Sequence, residues 1–157
     1  MEVLVKKIGN QLLSQSALLA TAESCTGGWV AKLITDIPGS SQWFDRGFVT
    51  YSNAAKIDML GVREQLISEW GAVSIQVAKA MAEGVLNSSC ATYSISVTGI
   101  AGPGGGSEEK PVGTVCFAWS KKEQKTIMEK KIFTGDREKI RFQSASYALQ
   151  RLDELFF

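Results

Sequence analysis

Leu18-Leu19-Ala20-Thr21-Ala22-Glu23-Ser24-Cys25-Thr26-Gly27-Gly28 is the stretch that decides the fold. The short apolar run from Leu18 to Ala22 predicts a strand, and the polar turn that follows ends in two residues of high backbone freedom. Val30, Leu33, Ile34 and Ile37 then recur at i, i+3, i+4 and i+7, the spacing of one helix face. Strand, tight turn and helix in immediate succession is the building block of an α/β protein.

Outward from this unit the chain continues to alternate. Upstream, Leu4, Ile8 and Leu12 recur every four residues among polar ones, which predicts an amphipathic helix over about residues 2 to 15. Downstream, Pro38-Gly39-Ser40-Ser41 stops the second helix, and Phe48 to Tyr51 reads as a second strand. Asn53 is placed to cap a short helix carrying Lys56, Met59 and Leu60, which Gly61 ends. A further helix starts at Ser74 with Ala78, Met81, Ala82 and Val85 on one face. Tyr93, Ile95 and Val97 alternate with Ser94, Ser96 and Thr98, a strand period, and that strand empties into a glycine-rich loop from Gly99 to Ser107. Val112 to Trp119 and Thr126 to Phe133 form a hairpin across Lys121, Lys122 and Glu123, and a closing helix runs from about Arg137 to Phe156, with Ile140, Tyr147, Leu152 and Leu155 as core contacts. The expected architecture is α/β: a single domain over residues 1–157, built as a three-layer α/β/α sandwich around a mixed sheet.

Composition narrows the function. Of 157 residues 45% are apolar and 21% charged, ordinary globular usage. Seventeen Lys and Arg against sixteen Asp and Glu leave a net charge of +1, without the basic excess of a nucleic-acid binder. Zero histidine removes Ser-His-Asp and Cys-His catalysis together with His metal sites. Cys25, Cys90 and Cys116 are odd in number and at no metal-ligand spacing, as expected of reduced thiols in a cytoplasm, and no metal is expected. Polar residues break up the N-terminal segment, so no signal peptide is read, and the uncharged run from Gly84 to Ser107 holds too many Asn, Ser, Thr and Gly for a membrane span. The C-terminal Leu155-Phe156-Phe157 either covers a partner subunit, making a homo-oligomer, or folds back on its own core.

Without histidine, a catalytic hydroxyl needs another base, and a lysine whose pKa is lowered by burial is one solution. Ser24 stands between strand and helix, where backbone N–H groups suit an oxyanion or a phosphate; the alternative is that Ser24 or Thr26 merely caps the helix. Cys25 is the competing nucleophile. The Gly99 loop either wraps a ligand with its N–H groups or is simply long and flexible. It is neither a P-loop nor a dinucleotide fingerprint, because no Gly-Lys-Ser/Thr ends it and a strand follows it. Taken alone, Lys56 reads as a solvated charge and Tyr51 as a core or rim residue.

Three longer motifs go further: Thr21 to Gly28; Gly47-Phe48-Val49-Thr50-Tyr51-Ser52-Asn53 with Lys56; and Gly99-Ile100-Ala101-Gly102-Pro103 running to Lys110-Pro111-Val112-Gly113-Thr114-Val115. In this order they resemble the competence/damage-inducible protein CinA C-terminal domain family over essentially the whole chain, and most of all its stand-alone nicotinamide-nucleotide amidohydrolases. The resemblance implies hydrolysis of the carboxamide of nicotinamide mononucleotide to nicotinate mononucleotide and ammonia, without cofactor, in pyridine-nucleotide salvage. It implies Ser24 as nucleophile, Lys56 as general base and Tyr51 as a residue assisting the pair. Thr26, Gly27, Ser40, Ser41, Gly99, Ala101, Gly102 and Arg141 are expected near the substrate. The other readings to be tested are a nucleotide-binding module without chemistry and a hydrolase of another small amide.

Overall fold

β1 (Leu19–Glu23) runs parallel to neighbours on both sides, β2 (Phe44–Val49) and β3 (Tyr93–Gly99), and β3 passes the sheet on to the antiparallel strands β4 (Thr114–Lys121) and β5 (Ile127–Ile132). The order is β2-β1-β3-β4-β5, a mixed five-stranded sheet in a computed structural model that describes residues 1–157. Helices α1 (Glu2–Ser14), α2 (Trp29–Thr35) and α6 (Arg137–Phe156) cover one face. Their Ile8, Leu12, Val30, Ile34, Ile140 and Leu149 pack with Ile95, Val97, Phe117 and Trp119 of the sheet in the main core. Helices α3 (Asn53–Leu60), α4 (Glu64–Trp70) and α5 (Ile75–Asn87) cover the other, where Ala20 and Ala22 of β1 meet Val77, Met81 and Val85. This is the α/β/α sandwich that the alternation of strand and helix periods predicts.

The alternation in β3 has a second role. Ile95 and Val97 enter the main core, but Ser94, Ser96 and Thr98 are buried too, against the α5 layer. Their hydroxyls donate to Ala82 O at 2.8 Å, Ala78 O at 2.6 Å and Ala72 O at 2.8 Å. A central strand covered on both faces normally reads as a continuous apolar run. Here hydroxyls take half of those positions because helix carbonyls satisfy them. Ala78 and Ala82 of the same helix also pack on Cys116 and Ala118 of β4.

Three local readings shift. The second strand begins at Phe44, four residues before Phe48, because it follows directly on buried Trp43 at the end of the 3₁₀ turn Ser40–Gln42. Ser52, not Asn53, caps α3, its hydroxyl accepting Ala55 N–H at 3.0 Å, and Asn53 is the first helical residue. Helix α4, seven residues long, has too few turns to show a period and was not expected. At the C-terminus Phe156 and Phe157 pack their rings 5.3 and 5.4 Å from that of Tyr93, so this segment folds back on its own core. No helix is long and apolar enough to cross a membrane.

Candidate active site

Register builds the site. Glu23 pairs with Val49 on one side and Val97 on the other, so Ser24, Thr50 and Thr98 leave the sheet at the same level. The C-terminal ends of parallel strands are where α/β sheets open a crevice. Ser24 N–H donates to Val97 O at 2.9 Å, and Gly27 N–H closes a turn onto Ser24 O at 3.1 Å. Gly27 and Gly28 hold φ of +60° and +97°, the left-handed region that favours glycine.

Buried Glu23 settles the competition for the helix end. Its carboxylate accepts the N–H groups of Gly28 at 3.1 Å, Val30 at 3.0 Å and Ala31 at 2.9 Å, occupying the orphan donors of α2. Neither Ser24 nor Thr26 is the cap, and no anion is needed there. The Ser24 hydroxyl is left to Lys56, whose Nζ lies 3.1 Å from Ser24 Oγ, 2.8 Å from Thr50 O and 3.4 Å from Tyr51 O.

Lys56 is 1% exposed, and none of its three partners is a carboxylate. Burial therefore pushes its pKa down from the ordinary 10.5, since no carboxylate is paired with the ammonium charge. A neutral amine has two N–H donors and one lone pair. The carbonyls of Thr50 and Tyr51 take the donors, and the lone pair can receive the Ser24 proton. Burial acts oppositely on the Cys25 thiol, pushing its pKa up to about 12, which leaves it protonated and inert.

Around this pair lies a cavity of about 210 Å³. Tyr51 lines it from the β2–α3 connection, Asn53 from the start of α3, Ala72 and Val73 from the α4–α5 connection, Thr98, Gly99 and Ala101 from β3 and its loop, and Arg137 from α6. The Arg137 guanidinium donates to Gly102 O at 2.7 Å and to Tyr51 Oη at 3.2 Å, both neutral acceptors. A larger cavity, about 570 Å³ between α3, α4 and α5, contains neither Ser24 nor Lys56. A hydroxyl on a buried amine at the wall of a pocket is equipped for nucleophilic attack on a carbonyl.

Residues 1–156 match the family described as the CinA C-terminal domain. The chain belongs to the CinA C-terminal domain family. It is 54% identical over 153 residues to the nicotinamide-nucleotide amidohydrolase PncC of Escherichia coli (strain K12), covering 98% of this chain and 93% of that protein. It is 47% identical over 152 residues to the protein of the same name from Pseudomonas putida, covering 97% and 94%. The crystal structure of the competence/damage inducible protein CihA from Agrobacterium tumefaciens superposes with a TM-score of 0.95 at 44% identity, over 98% of this chain and 94% of that one.

Within this CinA-family fold, Ser24 and Lys56 meet, and Gly99 and Ala101 stand in the cavity wall. Tyr51 differs from its expected part. The residue is 62% exposed and its phenol reaches Arg137; only its carbonyl touches Lys56. Gly102 presents a carbonyl to Arg137, not an N–H to an anion. Thr26 is fully buried outside the cavity lining, and the Gly27 N–H is already engaged by Ser24 O. Arg141 lies behind the turn, donating from Nε to Cys25 O at 3.0 Å and from Nη2 to Thr26 O at 2.9 Å. Ser40 and Ser41 precede β2, and because β2 is parallel to β1 they sit at the end of the sheet away from Ser24.

Sequence reasoning missed Thr98, Arg137 and Glu23. Thr98 had a usable signal, the last hydroxyl before the glycine loop on a strand parallel to β1. Glu23 was legible as the residue before the turn. Arg137 opens a helix 113 residues after Ser24 and carries no local mark of its destination.

Proposed function

We propose that this chain is a nicotinamide-nucleotide amidohydrolase that converts nicotinamide mononucleotide to nicotinate mononucleotide and ammonia by a Ser24/Lys56 mechanism. The observation that carries the reading is the buried Lys56 amine, 3.1 Å from Ser24 Oγ and without a carboxylate partner. A binding module would have no use for a desolvated amine on a serine, and burying one unpaired is costly.

Neutral Lys56 takes the hydroxyl proton of Ser24 as Oγ bonds to the carboxamide carbon. The tetrahedral oxyanion sits on the N–H of Cys25, a residue of the cavity wall whose N–H donates to no backbone carbonyl. As the C–N bond breaks, Lys56 returns the proton to the departing nitrogen, and ammonia leaves an acyl ester on Ser24. Water then attacks that ester, giving its proton through Lys56 back to Ser24 Oγ and releasing the nicotinate carboxylate. Arg137, paired only with neutral oxygens, meets the phosphate at the cavity mouth. The physiological setting is pyridine-nucleotide salvage in the cytoplasm.

The test is ammonia release from nicotinamide mononucleotide, with nicotinamide and nicotinamide riboside as controls. The nucleotide is the preferred substrate. Nucleotide binding without ammonia release would return the protein to a binding module. Turnover of other small amides in preference to the nucleotide would keep the Ser/Lys pair and change the substrate.

A further inference from the structure

Arg141 stands beside the site but does not line the cavity, and its guanidinium is held by carbonyls, not by a carboxylate. It donates to Cys25 O at 3.0 Å and Thr26 O at 2.9 Å, and its guanidinium carbon lies 5.2 Å from the centre of the Trp29 ring. A Cβ on Gly27 would lie 3.2 Å from its Nη2, so the turn fits closely on the arginine.

Peptide planarity turns these contacts into an orientation. In a trans peptide the C=O and the following N–H point in opposite directions. Arg141 draws Cys25 O toward α6, which aims the Thr26 N–H away from α6. It also holds Thr26 O, fixing the peptide whose N–H, that of Gly27, closes onto Ser24 O at 3.1 Å. That bond in turn fixes the Ser24–Cys25 peptide and aims the Cys25 N–H away from the turn's interior. Three consecutive peptides after the nucleophile are thus set, two directly by Arg141 and one through Gly27. Of these N–H groups, that of Cys25 has no backbone acceptor and belongs to a residue of the cavity wall.

We propose that Arg141 is the positioning residue of the oxyanion site, a brace that orients the Cys25 N–H from behind and does not touch substrate. The proposal rests on the Ser24 mechanism above. It assigns to Arg141 a role different from the substrate contact that the sequence suggested. Arg141→Lys keeps the charge but loses the planar fork that reaches two carbonyls, so it is not a conservative change here.

Two readouts on Arg141→Met and Arg141→Lys test it: steady-state kinetics on nicotinamide mononucleotide, and the rate at which an alkyl fluorophosphonate labels Ser24. The expected result is a fall of about 100-fold in kcat with KM within about threefold of wild type, and a parallel fall in labelling. The pH dependence set by Lys56 stays in place, and guanidinium ion added to Arg141→Ala restores part of the lost kcat. Raised KM with kcat retained would make Arg141 a substrate ligand and overturn the proposal, as would unchanged labelling in a folded variant. If Arg141→Met does not fold, Arg141→Lys decides. If wild type labels at Ser24 but releases no ammonia from the nucleotide, the substrate reading fails and the labelling rates alone judge Arg141.

Discussion

At the C-terminal end of the parallel strands Lys56 is buried against a hydroxyl and two carbonyls, whereas on the antiparallel side Arg151 of α6 is held by Glu129 of β5 and Glu154. Hydrogen bonds that Arg151 donates to the two carboxylates push its pKa up, so its charge is secured. Burial alone would raise the Glu129 pKa, but bonds from Arg151 and Tyr147 hold it lower, and burial together with Glu129 lifts the Tyr147 phenol to about 12. All three groups stay in one protonation state through the physiological range. Lys56 receives no such compensation and is left able to exchange a proton. The same fold pairs charge where the sheet needs bracing and withholds the partner where chemistry is done.

The strongest way to break this comparison is at the nucleophile. Ser24→Ala is expected to lower kcat by about 10⁴-fold or more, while Cys25→Ala stays within about tenfold of wild type. If the cysteine variant is the inactive one in the ammonia assay, the reacting atom is misassigned.

Lys56→Met is expected to be nearly as inactive, and its stability sharpens the contrast. With the folded pKa below the unfolded one, the unfolded chain binds more protons between the two values, and wild-type stability rises with pH there. The penalty is complete below the folded pKa and gone above the ordinary 10.5. Lys56→Met therefore melts at or above the wild-type temperature at pH 7, and the gap closes as pH rises. Wild-type kcat/KM climbs with pH through the same ionisation. A variant that melts well below wild type at pH 7 would make Lys56 an ordinary structural lysine.

Arg137→Met gives a smaller effect of a different kind. Loss of one charge-assisted contact raises KM for the nucleotide about 10- to 100-fold and leaves kcat/KM for the riboside almost unchanged. Equal losses on both substrates would remove the phosphate from Arg137. Smallest of all, Glu129→Gln on the braced side should cost about 1 kcal/mol, a few degrees in melting temperature, with kcat unaltered. A drop in kcat there would mean that the two regions are coupled.

Legibility in the sequence followed the range of the signal. The strand–turn–helix at Leu18 to Ile37, the helix from Ser74 and the closing helix from Arg137 were readable because apolar period and caps are local. Strand β2 was placed late, because its start depends on Trp43 and on pairing with β1, neither of which marks residues 44–47. Ser40 and Ser41 are expected near the substrate only from the family resemblance. The parallel direction of β2 puts them at the other end of the sheet. Arg141 is likewise expected near the substrate, but the carbonyls of Cys25 and Thr26 claim its guanidinium.

The sequence by itself determined the layer architecture, the absence of histidine chemistry, the reactive turn and the family motifs, because periodicity, composition and short motifs are properties of neighbouring residues. Tertiary structure decided the rest. Register brought Ser24, Thr50 and Thr98 to one level, Thr50 and Tyr51 turned their carbonyls on Lys56, and α6 delivered Arg137 to the pocket and Arg141 behind the turn. A lysine becomes a base only when its solvent and counter-charges are removed, and that removal is done by residues distant in sequence.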